Sequence, residues 1–327
     1  MNLFNSALGR NITLMHPKYF IISGFIGIPY IKYYYVFLCF VYVLSVLGNT
    51  AVMALIILDQ NLRTPKYIVV FDLALVDLLG SSSLVPKLLD IFLFNHRYIS
   101  FNDCMTFLFF CYTCLSMQTL NLVALAYDRL VAILFPLHYV VKVTHRFMLS
   151  LIAFFWVFTV AAVLTTVGLL TRLSFCNSVV INSFFCDHSQ MYRLACNDYS
   201  PSLVITVLLA CLYIWLPLVF IVFSYVCIGY ALSKVATAEE RVKALKTCSA
   251  HLSLVGIYFL PVLITFTLMD KIHPNARIIN LSVTSIFPAM LNPIIYALQT
   301  QEIKASIKRL FKYKMQSKMK VRRIEIM

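Results

Sequence analysis

The stretch Phe147–Leu170, FMLSLIAFFWVFTVAAVLTTVGLL, contains no charged residue and no proline. A helix needs about 20 apolar residues to cross the hydrocarbon core of a bilayer, and this stretch is long enough. A membrane-spanning β-strand would need only about ten residues, with apolar and polar side chains in alternation. Because the apolar residues here are continuous, the stretch predicts a membrane-spanning helix.

Six further runs have the same character, and the composition of the whole chain agrees with them. Of the 327 residues, 61% are hydrophobic and only 12% are charged, and the mean hydropathy is +0.86. A soluble globular protein carries about 25% charged residues, so a soluble enzyme is excluded. The sequence predicts an all-α integral membrane protein, a seven-transmembrane helix bundle. The other six runs are Tyr33–Leu58, Tyr67–Phe94, Phe101–Leu134, Pro201–Leu232, Glu239–Met269 and Arg277–Leu298.

The Lys and Arg residues indicate how the bundle is oriented. The net charge is +14, and most basic residues lie in the loops after the first, third and fifth runs and in the tail after Leu298. Loops rich in Lys and Arg stay on the cytoplasmic side, so we expect an extracellular N-terminus and a cytoplasmic C-terminus at the plasma membrane. The chain offers no folded basic surface that could bind a nucleic acid duplex, so nucleic acid is not an expected partner.

The regions outside the bundle are short. In the segment after the seventh run, Ile303 and Ile307 share one helical face with Leu310 and Phe311, and basic residues occupy the other face. This pattern predicts a short amphipathic eighth helix that lies on membrane lipid. The expected regions are an extracellular tail (1–32), the bundle (33–298), the amphipathic cytoplasmic helix (299–311) and a basic cytoplasmic tail (312–327).

Two kinds of polar residue stand out against this apolar background. Asn11 begins the sequence Asn-Ile-Thr in the tail assigned to the outside, which predicts a glycosylation site. Placing a polar side chain inside a spanning helix costs free energy, so such residues are taken as candidate functional residues. We expect them to form one hydrogen-bonded cluster, with or without a water molecule or a sodium ion. The cluster is either a switch or a purely structural polar core. Its members are Asn49, Asp77, Gln118, Asn121 and Asn292.

Four strings on different helices identify a family. LAYDRLVAI at 125–133 and MLNPIIY at 290–296 resemble the Asp-Arg-Tyr and Asn-Pro-x-x-Tyr motifs of rhodopsin-like (class A) G-protein-coupled receptors. KALKTCSAHL at 243–252 and LRTPKY at 62–67 look specifically like odorant (olfactory) receptors, and the tail around Gly27 is similar to the fish-like branch. The resemblance extends from about Phe20 to Phe311.

The resemblance also implies two disulfide bonds. Cys176, Cys186 and Cys196 lie in the long loop before the fifth run, and Cys104 lies at the top of helix three. Odorant receptors pair the middle cysteine of this loop with the one on helix three, which leaves Cys176 to pair with Cys196. From the sequence alone four cysteines have three possible pairings.

The resemblance further implies a small-molecule odorant as ligand and no cofactor or metal. The ligand is expected to enter from outside between helices three, five, six and seven, although each lining residue could equally be ordinary packing. We expect a small organic molecule with one or two polar groups. The candidate ligand-binding residues are Cys111, Tyr112, Leu115, Ser116, Leu209, Tyr213, Phe259, Val262, Phe266, Ser282 and Ser285.

On the inner side the resemblance implies coupling to a heterotrimeric G protein of the olfactory stimulatory type, which raises cyclic AMP. Arg129 would pair with Asp128 at rest and turn toward Tyr225, Tyr296 and the G protein on activation. Lys243 and Lys246 either meet the G protein or serve only the positive-inside topology. The candidate coupling and switch residues are Asp128, Arg129, Tyr225, Lys243, Lys246, Asn292, Pro293 and Tyr296.

Other classes of membrane protein are less well supported. The histidines are scattered and form no metal-binding pattern of an enzyme. The two halves of the chain are not self-similar, as those of many transporters are. The closest alternative is a rhodopsin-like receptor for a peptide or lipid ligand.

Overall fold

Seven long helices make up most of the structure, which is a computed structural model that describes residues 2–5, 10–13, 15–176, 178–234, 237–268 and 272–309. Each of the seven is long and apolar enough to cross a membrane, so the predicted seven-transmembrane bundle is confirmed. An eighth helix covers 301–309, and Leu310 and Phe311 lie outside the described residues. The seven are α1 (Lys32–Leu58), α2 (Pro65–Phe92), α3 (Phe101–Leu134), α4 (His145–Leu170), α5 (Ser200–Ser233), α6 (Ala238–Leu268) and α7 (Pro274–Gln299).

The exposed faces of the helices are apolar. On α4, Phe154 and Val157 are 61% and 71% exposed, and on α5 Val219 is 64% exposed. A soluble monomer rarely exposes contiguous apolar surface of this kind, because exposing apolar surface to water costs about 25 cal/mol of free energy per Å². In a bilayer the same side chains meet lipid tails. The chain is therefore a multi-pass membrane protein.

Proline residues interrupt the backbone hydrogen bonding of three helices. Pro217 has no N–H to donate to the carbonyl of Tyr213, and the turn Cys211–Trp215 just before it widens into a π-helix. Pro261 interrupts α6 in the same way, and α7 carries both Pro288 and Pro293. These three helices therefore have built-in places at which their angle can change.

One end of the bundle is covered by a small sheet, and we call it the capped end. Strand β3 (Tyr19–Ile22) lies between β4 (Tyr98–Ser100), with which it is antiparallel, and β5 (Val180–Ile181), with which it is parallel. Phe20 and Ile22 alternate with the exposed Tyr19 and the half-buried Ile21 and are completely buried under the sheet. Upstream, β1 (Asn2–Asn5) and β2 (Arg10–Thr13) form a hairpin that contains Asn11.

Two disulfide bonds hold the capped end together. Cys104 at the start of α3 is bonded to Cys186, and Cys176 is bonded to Cys196 within the segment between α4 and α5. The first bond fixes the segment that follows β5 to the top of α3. That segment forms the roof of the cavity described below.

We expect the double variant Cys104→Ala/Cys186→Ala to reach the cell surface less than Cys176→Ala/Cys196→Ala. The first bond closes a sequence separation of 82 residues and the second one of 20. Loop-closure entropy then makes the first bond more stabilising by about 1 kcal/mol, out of about 2–5 kcal/mol for a native disulfide. Surface staining of a tagged receptor measures this. Cys39→Ala, which removes a half-buried free thiol, is the control and should stain normally; equal staining of both double variants would contradict the ranking.

Candidate functional site

A cavity of about 230 Å³ lies just beneath the capped end. Its walls are mostly apolar, and its roof is polar. The walls include Tyr112, Leu115 and Ser116 from α3, Thr206, Leu209 and Tyr213 from α5, Tyr258 and Val262 from α6, and Leu281 and Ser285 from α7; the roof includes Phe185, Asp187 and His188, with Arg277 of α7.

The structure places most of the candidate ligand-binding residues on this wall, and places three elsewhere. Cys111 lines a second, much smaller cavity of about 10 Å³. Ser282 faces α1, where its hydroxyl is hydrogen-bonded to that of Tyr34. Phe259 is buried in the core, and its neighbour Tyr258 lines the cavity, because adjacent helical residues point about 100° apart. The side chain of the remaining candidate, Phe266, is outside the described residues.

A buried ion pair forms part of the roof. Nη2 of Arg277 lies 3.2 Å from Oδ2 of Asp187, and the two side chains are only 11% and 6% exposed. Asp187 also accepts hydrogen bonds from the backbone and hydroxyl of Ser189, at 2.9 and 2.8 Å, and from the Tyr112 hydroxyl at 3.3 Å. Sequence analysis missed this pair, although the position of Asp187 directly after the bonded Cys186 indicates that it faces the bundle.

His188, the next residue, has a defined tautomer. Oγ1 of Thr206 donates its hydrogen to the carbonyl of Ser202 at 2.7 Å, so it accepts one from Nδ1 of His188 at 3.1 Å. The ring is therefore protonated at Nδ1, and Nε2 is a bare acceptor. Nε2 is buried and has no hydrogen-bond partner among the described residues. Burial lowers the pKa of His188 to about 4, so the ring is neutral at physiological pH.

The lowered pKa of His188 predicts that the receptor loses stability in mild acid. The folded pKa of about 4 is below the ordinary value of 6.5, so the unfolded chain binds the proton more readily between these values. Stability is complete above pH 6.5 and falls as the pH drops; at pH 5 the loss from this one group is about 2 kcal/mol. Thermal unfolding of the purified receptor at pH 7.5 and pH 5 measures it. His188→Gln should reduce this difference, and an unchanged difference would contradict the assignment.

Deeper in the bundle, Asp77 joins three helices. This carboxylate on α2 is fully buried; Oδ1 accepts from Nε2 of Gln118 at 2.6 Å and Oδ2 from Nδ2 of Asn292 at 2.7 Å. Asn49 connects α1 to α7 by donating to the carbonyl of Ala289 at 2.7 Å. Gly48 beside it allows this close approach, because a Cβ there would lie 2.9 Å from Cβ of Pro293.

Asn121 lies outside the Asp77 cluster, contrary to the expectation of a single cluster. Its Nδ2 donates at 2.9 Å to Asp72, a second buried carboxylate on α2, and Nε1 of Trp156 on α4 donates to the same carboxylate at 2.9 Å. Asn121 is almost one turn along α3 from Gln118 and therefore meets a different level of α2. Sequence analysis missed Asp72, although a charged residue within an apolar run was the available signal.

The opposite end of the bundle holds the Asp-Arg pair. Nη2 of Arg129 lies 2.6 Å from Oδ2 of Asp128, and the hydroxyl of Tyr139 donates to Oδ1 at 2.7 Å. The hydroxyl of Tyr225 is hydrogen-bonded to Nδ1 of His251 at 2.8 Å. The other ring nitrogen of His251, Nε2, lies 3.0 Å from the carbonyl oxygen of Leu122 on α3.

Three further switch candidates lie at this end. The hydroxyl of Tyr296 is buried with no hydrogen-bond partner in the described part of the chain. The side chains of Lys243 and Lys246 are outside the described residues. The eighth helix is held at this end of the bundle by ion pairs from Lys66 to Glu302, at 3.2 Å, and from Arg309 to Asp59, at 2.8 Å.

Comparison with known proteins identifies the family. The model of the olfactory receptor family matches residues 38–314. Human olfactory receptor 52K1 is 34% identical over 316 residues, which cover 94% of this chain and 99% of that receptor. Rat olfactory receptor 1 is 35% identical over 280 residues, covering 85% and 89%. The crystal structure of squid rhodopsin superposes with a TM-score of 0.70 at 18% identity, covering 92% of each chain, and shows the shared fold. The chain therefore belongs to the olfactory receptor family, whose members are G-protein-coupled receptors and not enzymes.

Proposed function

We propose that the chain is an odorant receptor that binds a small organic ligand in the cavity below the capped end and activates a stimulatory G protein, which raises cyclic AMP. The observation that carries this proposal is the cavity itself. A volume of about 230 Å³ under a disulfide-bonded roof suits a small molecule. A peptide ligand would need a wider, open cleft, and ligand pockets for drug-sized molecules are about 300–1,000 Å³.

The proposed sidedness follows from the same arrangement. The capped end, with its disulfides and Asn11, faces the outside, where disulfides form and a glycan can be added. The end with Arg129 and the eighth helix faces the cytoplasm and the G protein. Ile303 is buried there, whereas Lys308 is exposed and suits contact with anionic lipid headgroups at the plasma membrane.

The signal is proposed to travel along α6. The hydroxyl of Tyr258, which lines the cavity, donates to the carbonyl of Leu115 at 2.7 Å and accepts from Thr119 at 2.7 Å. A ligand that displaces Tyr258 would loosen α6 from α3 one turn before Pro261. At the far end, His251 holds the same two helices together through Leu122. Shifting the equilibrium between the resting and the active receptor from 1:99 to 99:1 requires the ligand to bind the active state more tightly by about 5.5 kcal/mol.

The test fills the cavity without changing the rest of the bundle. Leu209→Trp places an indole in the cavity, whereas Leu208→Trp, at the adjacent 50% exposed position, places it in lipid. In cells that supply an olfactory stimulatory G protein, we expect Leu208→Trp to keep the cyclic AMP response of the native receptor to an odorant and Leu209→Trp to lose it. An unimpaired response of Leu209→Trp, or responses only to peptides or lipids, would overturn the proposal.

A further inference from the structure

The hydroxyl groups around the cavity have a common orientation. Thr166, Thr206, Thr265, Thr284 and Ser285 each donate to a backbone carbonyl one turn earlier in their own helix, at 2.7–3.1 Å. A hydroxyl has one hydrogen and two lone pairs. Each of these groups has therefore used its hydrogen inside the protein, and only lone pairs are left to offer a ligand.

The tyrosines and His188 also offer hydrogen-bond acceptors to the cavity and not donors. Tyr112 donates to Asp187, Tyr213 donates to Oγ1 of Thr159 at 3.3 Å, and Tyr258 donates to the carbonyl of Leu115. His188 offers the unpartnered acceptor Nε2. Among the described lining hydroxyls, only those of Ser116 and Tyr192 have no recorded acceptor. The wall consequently presents many acceptors and few donors.

The charged groups of the roof are mutually satisfied. Besides the carboxylate of Asp187, Nη2 of Arg277 donates to the carbonyl of Asn182 at 3.2 Å. With its amide oxygen turned toward the guanidinium, Gln190 accepts from Nη1 at 2.8 Å. An anionic ligand would find no free cation among the described lining residues, and a cationic ligand would find no free carboxylate. Burying an unpaired charge is strongly unfavourable.

From these observations we infer the ligand class of the proposed odorant site: uncharged molecules that donate a hydrogen bond, namely alcohols and phenols, in preference to the ketone, ether, carboxylate or ammonium compound of the same skeleton. The inference rests on the proposed function, since it concerns the same cavity. A ketone or ether offers only acceptors, and the wall opposes them with acceptors. An alcohol can donate to Nε2 of His188, which is the buried acceptor without a partner among the described lining residues.

The experiment uses matched pairs of about seven to ten non-hydrogen atoms, such as cyclohexanol with cyclohexanone and phenol with anisole, plus cyclohexanecarboxylate and cyclohexylammonium. Binding is measured as thermal stabilisation of the purified full-length receptor in nanodiscs, and signalling as cyclic AMP in cells. We expect the hydroxyl member of a pair to bind about tenfold more tightly than its acceptor-only partner. Equal or tighter binding of the ketones and ethers, or no binding by any compound, would overturn the inference. Binding without cyclic AMP would instead overturn the proposed function and leave the ligand class standing.

Two substitutions test the contacts themselves. His188→Phe should reduce the preference for the hydroxyl member to about twofold or less, a ratio within one variant that a partial loss of folding cannot imitate. Asp187→Asn should leave Arg277 unpaired and raise the affinity for carboxylates at least tenfold. The charge swap Asp187→Arg/Arg277→Asp is the control and should reject both ions. If His188→Phe keeps the full preference and Asp187→Asn gains no carboxylate binding, the inference is wrong.

Discussion

Replacing Arg129 with glutamine is expected to abolish ligand-evoked cyclic AMP while the receptor still reaches the cell surface. Arg129 is 15% exposed at the end of α3 opposite the cavity, and its partner Asp128 is fully buried. In the proposed mechanism this guanidinium leaves Asp128 and meets the G protein. Glutamine can still donate to Asp128, but it has neither the charge nor the length to make the second contact.

Arg129→Gln is expected to affect G-protein coupling much more than folding. The lost positive charge beside the buried carboxylate of Asp128 should cost about 1–3 kcal/mol of stability, which a folded receptor can tolerate. Coupling should fall at least 100-fold, equivalent to about 2.7 kcal/mol. Surface staining and cyclic AMP measured in the same cells distinguish the two. Arg146→Gln, at an exposed position that begins α4, is the matched control and should signal normally.

The opposite change at the same pair should act in the opposite direction. Asp128→Asn removes the charge that holds Arg129, and Tyr139 loses a carboxylate acceptor. We expect cyclic AMP in the absence of ligand to rise several-fold, because a coupling free energy of 1–3 kcal/mol shifts a two-state equilibrium about 5–150-fold. Unchanged basal signalling from Asp128→Asn, or a full response from Arg129→Gln, would remove the pair from the switch.

The sequence was most informative where lipid is the solvent. A spanning helix must satisfy its backbone internally and expose apolar side chains, so long apolar runs such as Phe147–Leu170 predict their helices almost residue by residue. The family motifs predicted which residues lie at each end of the bundle. In contrast, the strand Tyr19–Ile22 is only four residues long, and it forms because β4 and β5 offer it two edges from distant parts of the chain.

The cavity was predicted less completely for reasons of geometry. Residues 258 and 259 differ by a rotation of about 100° on α6, so Tyr258 and not Phe259 lines the wall, and helical spacing alone could not choose between them. The roof residues Asp187 and His188 depend on how the segment between β5 and α5, which has only short helical turns such as His188–Met191, folds back over the bundle. Periodicity carries no information about such a segment, so their roles emerged only from the structure.

The two buried carboxylates of α2 yield the second large prediction. Asp77 connects α2 to Gln118 on α3 and to Asn292 on α7, which contains two prolines within the helix. Asp72 connects α2 to Asn121 on α3 and to Trp156 on α4, whose described residues include no proline. If signalling requires α7 to move against α2, only the first of these acids lies between a moving helix and a fixed one.

We therefore expect Asp77→Ala and Asp72→Ala to be similarly destabilised and functionally different. Each removes the acceptor of two buried donors, and hydrogen bonds within membrane bundles average about 0.6 kcal/mol, so each variant should lose about 1–3 kcal/mol of stability. Asp77→Ala should lose most of the ligand response, because Asn292 beside Pro293 no longer has its partner in α2. Asp72→Ala should show lower surface expression but the native ligand concentration for half-maximal cyclic AMP. Thermal stability and full concentration–response curves for both variants decide the matter: if Asp72→Ala shifts the curve as far as Asp77→Ala does, the Asp77 cluster is a structural polar core and not a switch.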